Sequence, residues 1–355
     1  MKDKKKVYIV GSELTVKGGI SSVMNNYVNY DGWEDYEIEH IATHDEPGIL
    51  KKIKVYKKGY KKVKKICKKH SADIIHVHMS ERGSFKRKAS IVKLCKKYNM
   101  KVIIHHHGAE FLEYYKQGSK SLKNQIYRTL LAADLNIVLS NKLTDNIEYM
   151  CPDAKVKVLY NAVGTYDNNM YNPDGTGILF LGRLGERKGT YDLLNAIERL
   201  DSVIDKKYVF YLCGDGEIDK VNALIDKKKI RHRIAHVGWV SGEQKKEILK
   251  NTIINILPSY NEGLPMTILE TMAYGIVNIS TNIASIPEVI FSGENGILIN
   301  PSDVDAIYNS LNELINNRDL RLSMSEKAYE LVTEQFSLKR HIKMLETYYN
   351  DVINN

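Results

Sequence analysis

The 355-residue sequence has no long hydrophobic run, because nowhere do about 18 apolar residues follow one another, the length that a membrane-spanning helix needs. It also lacks the pattern of a secretory signal peptide, since the basic residues at its start lead into one short apolar stretch, Val7 to Val10. Low-complexity tracts and short repeats are absent too. We therefore expect a folded protein that does not cross a membrane.

Cysteine is scarce and scattered. The sequence has four, with no C-x-x-C pair among them: Cys67, Cys95, Cys151 and Cys213. This distribution argues against a disulfide framework and against a cysteine-based zinc site, and it is typical of a reducing compartment. We expect a cytoplasmic protein.

Negative charge is in deficit, and the net charge of +9 favours polyanionic partners such as phosphorylated substrates, acidic lipid surfaces or nucleic acid. Much of the excess lies in residues 51–69, which read KKIKVYKKGYKKVKKICKK. Apolar residues recur there at three- and four-residue steps, which predicts an amphipathic helix over residues 49–69 with a basic polar face. We favour an ordinary surface helix. Contact with an anionic membrane is the second interpretation, and nucleic acid is disfavoured because no nucleic-acid motif accompanies the lysines.

The length suits two domains, and short β-branched stretches alternate with amphipathic ones, as in parallel sheets with crossover helices. A polar, turn-rich segment over residues 166–175 divides the two halves. The predicted strands are 7–10, 36–40, 73–77, 101–105, 135–138, 156–159, 178–181, 208–213, 234–237, 253–257, 277–280 and 296–299. The predicted helices are 20–30, 49–69, 85–98, 121–131, 191–200, 217–229, 242–250, 264–273 and the whole chain from about 303 onward. We therefore predict an α/β protein of two Rossmann-like domains, residues 1–165 and 176–336, with ligands bound beyond the carboxyl ends of the strands.

Two parts of the first half carry candidate site residues. Gly18 and Gly19 precede the first helix, where backbone N–H groups can approach an anion, but a plain glycine turn explains them as well, and the G-x-G-x-x-G spacing is absent. His76 and His78 share one face of a strand and could ligate a metal together, although no carboxylate or cysteine lies at ligand spacing. We favour one or two of these histidines as polar groups in the cleft, with His107 as the best candidate, and no metal. A hydrogen-bonded histidine of the core explains His76 and His105 equally well.

The second half is more informative. Its first strand leads into residues 182–189, GRLGERKG. Arg183 leaves the strand tip and Lys188 lies near the next helix, so two cations could clamp a diphosphate and neutralise a leaving phosphate in place of a magnesium ion. The next strand ends in a second tight turn that begins at Gly214.

The strongest signal is residues 258–275, PSYNEGLPMTILETMAYG. Glu262 lies in a loop after a buried strand, and Glu270 lies about two turns into the following helix. The residues that open this helix have N–H groups that can bind an anion; they are Gly263, Leu264, Pro265 and Met266. Two carboxylates can indicate glycosidase chemistry, but this separation better suits two points on a longer ligand, such as a sugar and a ribose.

With these motifs in this order, the sequence resembles the retaining GT-B glycosyltransferases of family 4 over nearly its whole length. The motifs that carry the resemblance are the E-x7-E of Glu262 to Glu270, the G-R-L-x-x-x-K-G of 182–189, Gly18-Gly19, His107-Gly108, Asn161-Ala162-Val163, Pro287-Glu288-Val289-Ile290 and Gly293-Glu294-Asn295-Gly296.

The resemblance implies a role for each candidate. Arg183 and Lys188 would hold the donor diphosphate, and Glu270 would bind the ribose hydroxyls. Glu262 would meet the transferred sugar, with the backbone of residues 263–266 nearby.

It further implies that His107 lines the reacting centre and that Gly18 and Gly19 face the phosphates as a cleft between the two domains closes. Gly214 is counted with the donor loops. The segment 337–355 would complete the first domain, and no bound metal or cofactor is expected.

The predicted activity is that of a hexosyltransferase. It would move a sugar, with retention of configuration, from a nucleotide-diphosphate donor that we expect to be a UDP-sugar. The acceptor would be a hydroxyl of a glycan or polyprenyl-linked glycan in cell-surface polysaccharide synthesis. If the basic helix binds lipid, the reaction would take place at the inner membrane face. No dedicated nucleophile is evident, so we favour same-face attack and leave a covalent intermediate open. The competing interpretation is a non-catalytic sugar-nucleotide-binding or assembly subunit. An epimerase or a phosphorylase is a weaker alternative.

Overall fold

The computed structural model describes residues 4–46 and 48–355. The chain forms two compact units, residues 1–162 together with 338–355, and residues 163–337. Each unit contains one six-stranded parallel sheet with helices between its strands, which confirms the predicted α/β class and the two parallel sheets. Among the described helices, none combines the length and the hydropathy required to cross a membrane.

The sheet of the first unit has the strand order β2-β1-β3-β4-β5-β6. Its strands are β1 (Lys5–Gly11), β2 (Tyr36–Ala42), β3 (Ile74–Met79), β4 (Lys101–His106), β5 (Leu135–Val138) and β6 (Val156–Val158). The helices between them are α1 (Gly19–Asn29), α2 (Ile49–Lys69), α3 (Gly83–Lys97), α4 (Phe111–Lys116), α5 (Lys120–Ala132) and α6 (Asn141–Met150). All six residues of β3 are buried, as expected for a central strand covered on both faces.

The sheet of the second unit has the order β12-β11-β10-β7-β8-β9. Its strands are β7 (Gly177–Leu181), β8 (Val209–Cys213), β9 (Ile234–Gly238), β10 (Thr252–Leu257), β11 (Val277–Thr281) and β12 (Gly296–Ile299). Its helices are α7 (Thr190–Leu200), α8 (Ile218–Lys227), α9 (Gly242–Asn251), α10 (Met266–Ala273), α11 (Val304–Asn316) and α12 (Arg318–Gln335), with short 3-10 turns at Glu186–Lys188, Arg231–Arg233 and Ile286–Glu288.

The C-terminal part is not one continuous helix, as the prediction from residue 303 onward had it. The chain leaves helical geometry at Asn317, whose side chain accepts a hydrogen bond from the backbone N–H of Leu320 and caps α12. A second break near Phe336 separates α12 from α13 (Leu338–Asn354), and α13 belongs to the first unit. The breaks arise from local capping that hydrophobic periodicity does not report.

Two helices of the first unit, α4 and α6, were not predicted. A capping signal was present for α6, because the Ser140 side chain accepts a hydrogen bond from the backbone N–H of Leu143 at 3.3 Å. α4 has only six residues, too few to establish a helical period.

Candidate functional site

The sheet of the second unit has a topological switch point. Strand β7 lies next to β8 on one side and next to β10 on the other. The chain therefore proceeds outward from the centre in both directions, and the loops that follow β7 and β10 open a crevice at the carboxyl ends of the strands. Ligands of open α/β sheets bind at such crevices. Lys188 and Glu262, both predicted from sequence, lie in these two loops.

The two loops contact each other through their backbones. Tyr260 N donates to the carbonyl oxygen of Arg187 at 2.9 Å. Gly189 has a φ of +70°, and a Cβ at this position would overlap the carbonyl oxygen of Pro258. Glycine is therefore required at position 189, both for its conformation and for the close approach of the second loop.

A buried ion pair joins the loops. Lys188 Nζ donates to Glu262 Oε1, and the side chains are only 14% and 8% exposed. Ser259 Oγ donates to the same Glu262 oxygen at 2.7 Å. Burial lowers the pKa of Lys188, although the Glu262 carboxylate acts in the opposite direction. The pair places a poorly hydrated ammonium beside a carboxylate at the crevice, where the first can bind an anion and the second can accept hydrogen bonds from hydroxyls.

Arg183 lies in the same loop but outside this pair. Leu184 N donates to the carbonyl oxygen of Asp215 at 2.6 Å, which ties the loop after β7 to the loop after β8. A Cβ at Gly214 would collide with the backbone of the first loop, so this contact also depends on glycine. The Arg183 side chain is 67% exposed, and its Nη1 lies 3.8 Å from Asp215 Oδ2. The cation is thus available to a ligand at the cost of one weak surface ion pair.

The helix that follows Glu262 begins later than predicted. α10 starts at Met266, and Pro265 precedes it with an extended backbone (φ −66°, ψ 121°), whereas the prediction placed Leu264 in the helix. Glu270 lies in this helix, and its Oε2 is 2.8 Å from Lys245 Nζ on α9, with both side chains about one quarter to one third exposed. The sequence did not indicate Lys245, because it is one of several lysines on a solvated helix.

The remaining predicted residues lie in the first unit. Gly18, with a φ of +139°, caps α1, and no described atom would lie within 4 Å of a Cβ there. Gly19 is the first residue of the helix. His107 follows β4 and is half-buried; its Nε2 lies 2.9 Å from His78 Nδ1, and burial lowers its pKa to about 3. His107 is therefore a neutral imidazole at physiological pH. The roles of Gly18, Gly19 and His107 in donor binding and catalysis stay predictions.

Two protein-family models match the chain and between them span most of it. The model described as "Glycosyl transferases group 1" matches residues 169–331, and the model described as "Glycosyltransferase Family 4" matches residues 29–166.

The chain belongs to the group 1 glycosyltransferases.

Relatives of this glycosyltransferase include proteins of cell-surface polysaccharide loci. It is 28% identical to an uncharacterized 41.2 kDa protein in the cps region of Klebsiella pneumoniae, over 82% of this chain and 86% of the relative. It is 29% identical to the lipopolysaccharide 1,6-galactosyltransferase of Salmonella typhimurium, over 52% of this chain and 53% of that enzyme.

Solved structures share the fold at low sequence identity. Sucrose-phosphate synthase from Thermosynechococcus elongatus has a TM-score of 0.83 at 14% identity, covering 99% of this chain and all of that chain. The Anabaena protein HepE in complex with UDP-glucose has a TM-score of 0.74 at 14% identity, covering 98% of this chain and 99% of that chain. Both confirm the GT-B architecture of this glycosyltransferase.

Sequence reasoning missed the residues that hold the site residues in place. Ser259 and Lys245 contact Glu262 and Glu270, respectively. Ser259 lies three residues before Glu262, so the spacing alone made a contact possible, whereas the Lys245–Glu270 contact joins two helices.

Proposed function

We propose that this glycosyltransferase moves a sugar from a UDP-sugar to a hydroxyl of a glycan or lipid-linked glycan, with retention of configuration and without a bound metal ion in the reaction. The observation that carries the proposal is the buried Lys188–Glu262 pair at the switch point of the second unit. It offers one cation for a diphosphate and one carboxylate for sugar hydroxyls within a single contact.

The pair suits a ligand that has both groups. Glu262 already accepts two hydrogen bonds on Oε1, from Lys188 and Ser259, so its second oxygen is the acceptor for a hydroxyl of the transferred sugar. The Lys188 ammonium is desolvated, so a phosphate oxygen that approaches it gains more than it would beside a hydrated lysine. Donor binding thus exchanges part of the Lys188–Glu262 contact for contacts with the diphosphate.

Two other predicted donor residues belong to the same two segments, Arg183 to the loop of Lys188 and Glu270 to the helix that follows Glu262. Arg183 is exposed on the same loop as Lys188 and can turn toward a phosphate, since its ion pair with Asp215 is 3.8 Å long and therefore weak. Glu270 is partly exposed on α10 and can accept hydrogen bonds from a ribose. A UDP-glucose complex of a protein with the same fold supports the choice of uridine donors.

The proposed chemistry depends on leaving-group stabilisation. As the bond between the anomeric carbon and the phosphate oxygen breaks, negative charge grows on the diphosphate, and Lys188 and Arg183 stabilise it by several kcal/mol. The acceptor hydroxyl attacks from the same face and transfers its proton to the departing phosphate oxygen. A double displacement through a glycosyl-enzyme is the alternative route, and mass spectrometry of the intact protein under turnover would reveal that adduct.

The test is kinetic. We first identify the donor by thermal-shift screening of a nucleotide-sugar panel, because a tight donor raises the melting temperature by mass action. Arg183→Ala and Lys188→Ala should then each lower kcat by about a hundredfold or more, measured as nucleotide release with and without acceptor. Arg183→Ala is the cleaner variant, since the side chain is 67% exposed and its loss does not disturb the core.

Matched controls come from the same unit. Lys228→Ala removes a lysine that is 18% exposed and pairs with Glu198 at 2.6 Å, and Arg318→Ala removes a half-exposed arginine that pairs with Asp174 at 3.4 Å. Both controls should keep turnover within about twofold of the original enzyme. Near-normal turnover in both Arg183→Ala and Lys188→Ala would refute the proposed roles.

For the acceptor, we propose a lipid-linked glycan that the enzyme meets at an anionic membrane surface through α2. The start of this helix presents apolar side chains to solvent, with Ile49 77% and Leu50 84% exposed, whereas Val63 and Cys67 near its end are buried. The exposed lysines of the same helix are Lys51, Lys54, Lys57, Lys58, Lys61, Lys62, Lys64, Lys65, Lys68 and Lys69. Exposed apolar residues beside a row of lysines suit insertion between anionic headgroups.

Flotation with liposomes tests this surface. We expect binding to vesicles that contain anionic lipid, little binding to zwitterionic vesicles, and weaker binding as salt is raised. The double variant Ile49→Ser/Leu50→Ser should lose most of the binding, whereas Phe291→Ser, which removes a 44% exposed apolar side chain from the second unit, should not. Absence of binding at low salt would end the proposal without affecting the donor site.

A further inference from the structure

A cluster of histidines lies inside the first unit. His76 and His78 on β3 and His105 on β4 are 0%, 1% and 0% exposed. Their rings pack against one another, with centroids 4.6 Å apart for His76 and His78 and 5.1 Å apart for His78 and His105. The pairing of His78 with His105 in adjacent strands, and the two-residue step from His76 to His78, place all three side chains on one face of the sheet.

The cluster leaves imidazole nitrogens without hydrogen bonds. Within residues 4–46 and 48–355, no partner lies in range of Nε2 of His76, Nε2 of His78 or either ring nitrogen of His105. Buried polar atoms are nearly always paired, so several orphaned nitrogens in one place call for a ligand. One nitrogen from each residue can be chosen so that all three lie within 4.8 Å of one another.

The Nδ1 atoms of His76 and His78 both have hydrogen-bond partners. His76 Nδ1 lies 2.7 Å from the hydroxyl of Tyr349 on α13, and His78 Nδ1 lies 2.9 Å from Nε2 of His107. When each Nδ1 carries the proton and donates it to these acceptors, each Nε2 has a lone pair and no hydrogen-bond partner among the described residues. Metal-binding histidines have this arrangement, in which the nitrogen away from the metal donates to a second group that fixes the ring.

We propose that His76, His78 and His105 bind a transition-metal ion that prefers imidazole ligands, with Zn²⁺ as the physiological ion. Three neutral imidazoles form a ligand set that zinc accepts, with a fourth position left for water.

The ion would be structural, and none of its three ligands is among the residues proposed to hold the donor. His107, which the family resemblance places at the reacting centre, contacts the cluster through His78 at 2.9 Å. The ion would link β3 to β4 directly and, through the His76–Tyr349 hydrogen bond, hold α13 on the first unit. Tetrahedral ligand nitrogens at 2.0–2.1 Å from zinc are roughly 3.3 Å apart, so the three rings must turn inward to bind it.

The experiment uses the full chain without a histidine tag. Metal content is measured after purification without chelators, and the protein is then stripped with dipicolinate and titrated with Co²⁺ alone, which gives a visible ligand-field band in a nitrogen site. We expect one ion per chain, a Co²⁺ band that Zn²⁺ removes, and a higher melting temperature in the presence of either ion. Less than about a tenth of an ion per chain, together with no Co²⁺ band, would overturn the proposal.

Variants separate the site from general binding. His78→Gln and His105→Gln should abolish the band, and Tyr349→Phe, which keeps the ring and removes the hydroxyl, should weaken binding by about 10- to 100-fold. His106→Gln is the matched control, because His106 is also buried on β4 but bonds to Asn136 on the other face of the sheet. Folding of each variant is checked by circular dichroism. A band that survives His78→Gln, or that His106→Gln removes equally in a folded protein, would refute the assignment.

Discussion

Mild acid should unfold the first unit before the second. His76, His106 and His341 are fully buried in the first unit, and burial lowers their pKa values to about 3, about 4 and about 4. The two histidines of the second unit, His232 and His236, are exposed or half-buried. We therefore expect the stability of the first unit, but not that of the second, to depend strongly on pH.

The sign and size follow from proton linkage. A histidine in the unfolded chain has a pKa near 6.5, so between about pH 4 and pH 6.5 the unfolded state binds protons that the folded state does not. Stability therefore rises with pH in this window and is lost as the pH falls through it. At pH 5 each of the three histidines costs about 2 kcal/mol, about 6 kcal/mol together. Burial acts in the same direction on His78 and His105. The loss is comparable to the whole stability of an ordinary domain.

Tryptophan fluorescence can report on each unit separately. The chain has two tryptophans, Trp33 in the first unit and Trp239 in the second. Trp33 is buried and its ring stacks on that of Tyr349 at 6.2 Å. Urea unfolding of Trp239→Phe, followed through Trp33 at pH 7.5, 6.5, 5.5 and 5.0 with a chelator present, gives the free energy of unfolding of the first unit. Trp33→Phe reports on the second unit in the same way.

We expect the midpoint of the first unit to fall steeply below pH 6.5 and that of the second unit to change little above pH 5. The chelator ensures that release of a metal ion does not contribute. A loss below about 2 kcal/mol for the first unit between pH 7.5 and pH 5 would show that the histidines become protonated in the folded state and would refute the reasoning.

Further predictions concern the loops of the second unit. In a double-mutant cycle, Lys188→Met and Glu262→Gln should each lower the free energy of unfolding by about 3 kcal/mol, because each leaves one member of a buried pair alone. The double variant should lose far less than the sum of the two single losses. Additive losses in urea unfolding would contradict the coupling. Gly189→Ala should destabilise the unit more than Gly293→Ala, because both have positive φ but only Gly189 has a backbone carbonyl, that of Pro258, where the Cβ would lie. If both variants lose the same free energy of unfolding, about 1 kcal/mol each, the loop after β10 moves to make room for the new Cβ and the prediction is wrong.

Local pattern was sufficient to predict the class of the fold. β-branched runs and three- and four-residue periods depend on which face of an element is buried, and this is why helix 49–69 and strand 135–138 were predicted with the bounds that the structure has. The motifs of the loops after β7 and β10 were also visible, since each turn and its glycines lie within one short segment. The start of α10 at Met266 and the break at Asn317 were not predicted, because capping geometry depends on single side chains.

Which side chains meet was decided only by the tertiary structure. Lys188 and Glu262 are 74 residues apart, and His76 and Tyr349 are 273 residues apart. The first contact exists because β10 pairs with β7, and the second because α13 belongs to the first unit. Strand order and the return of a terminal helix are set by packing across the whole chain. A sequence pattern therefore shows that a lysine or a histidine lies at the end of a strand or within it, but long-range packing determines its partner.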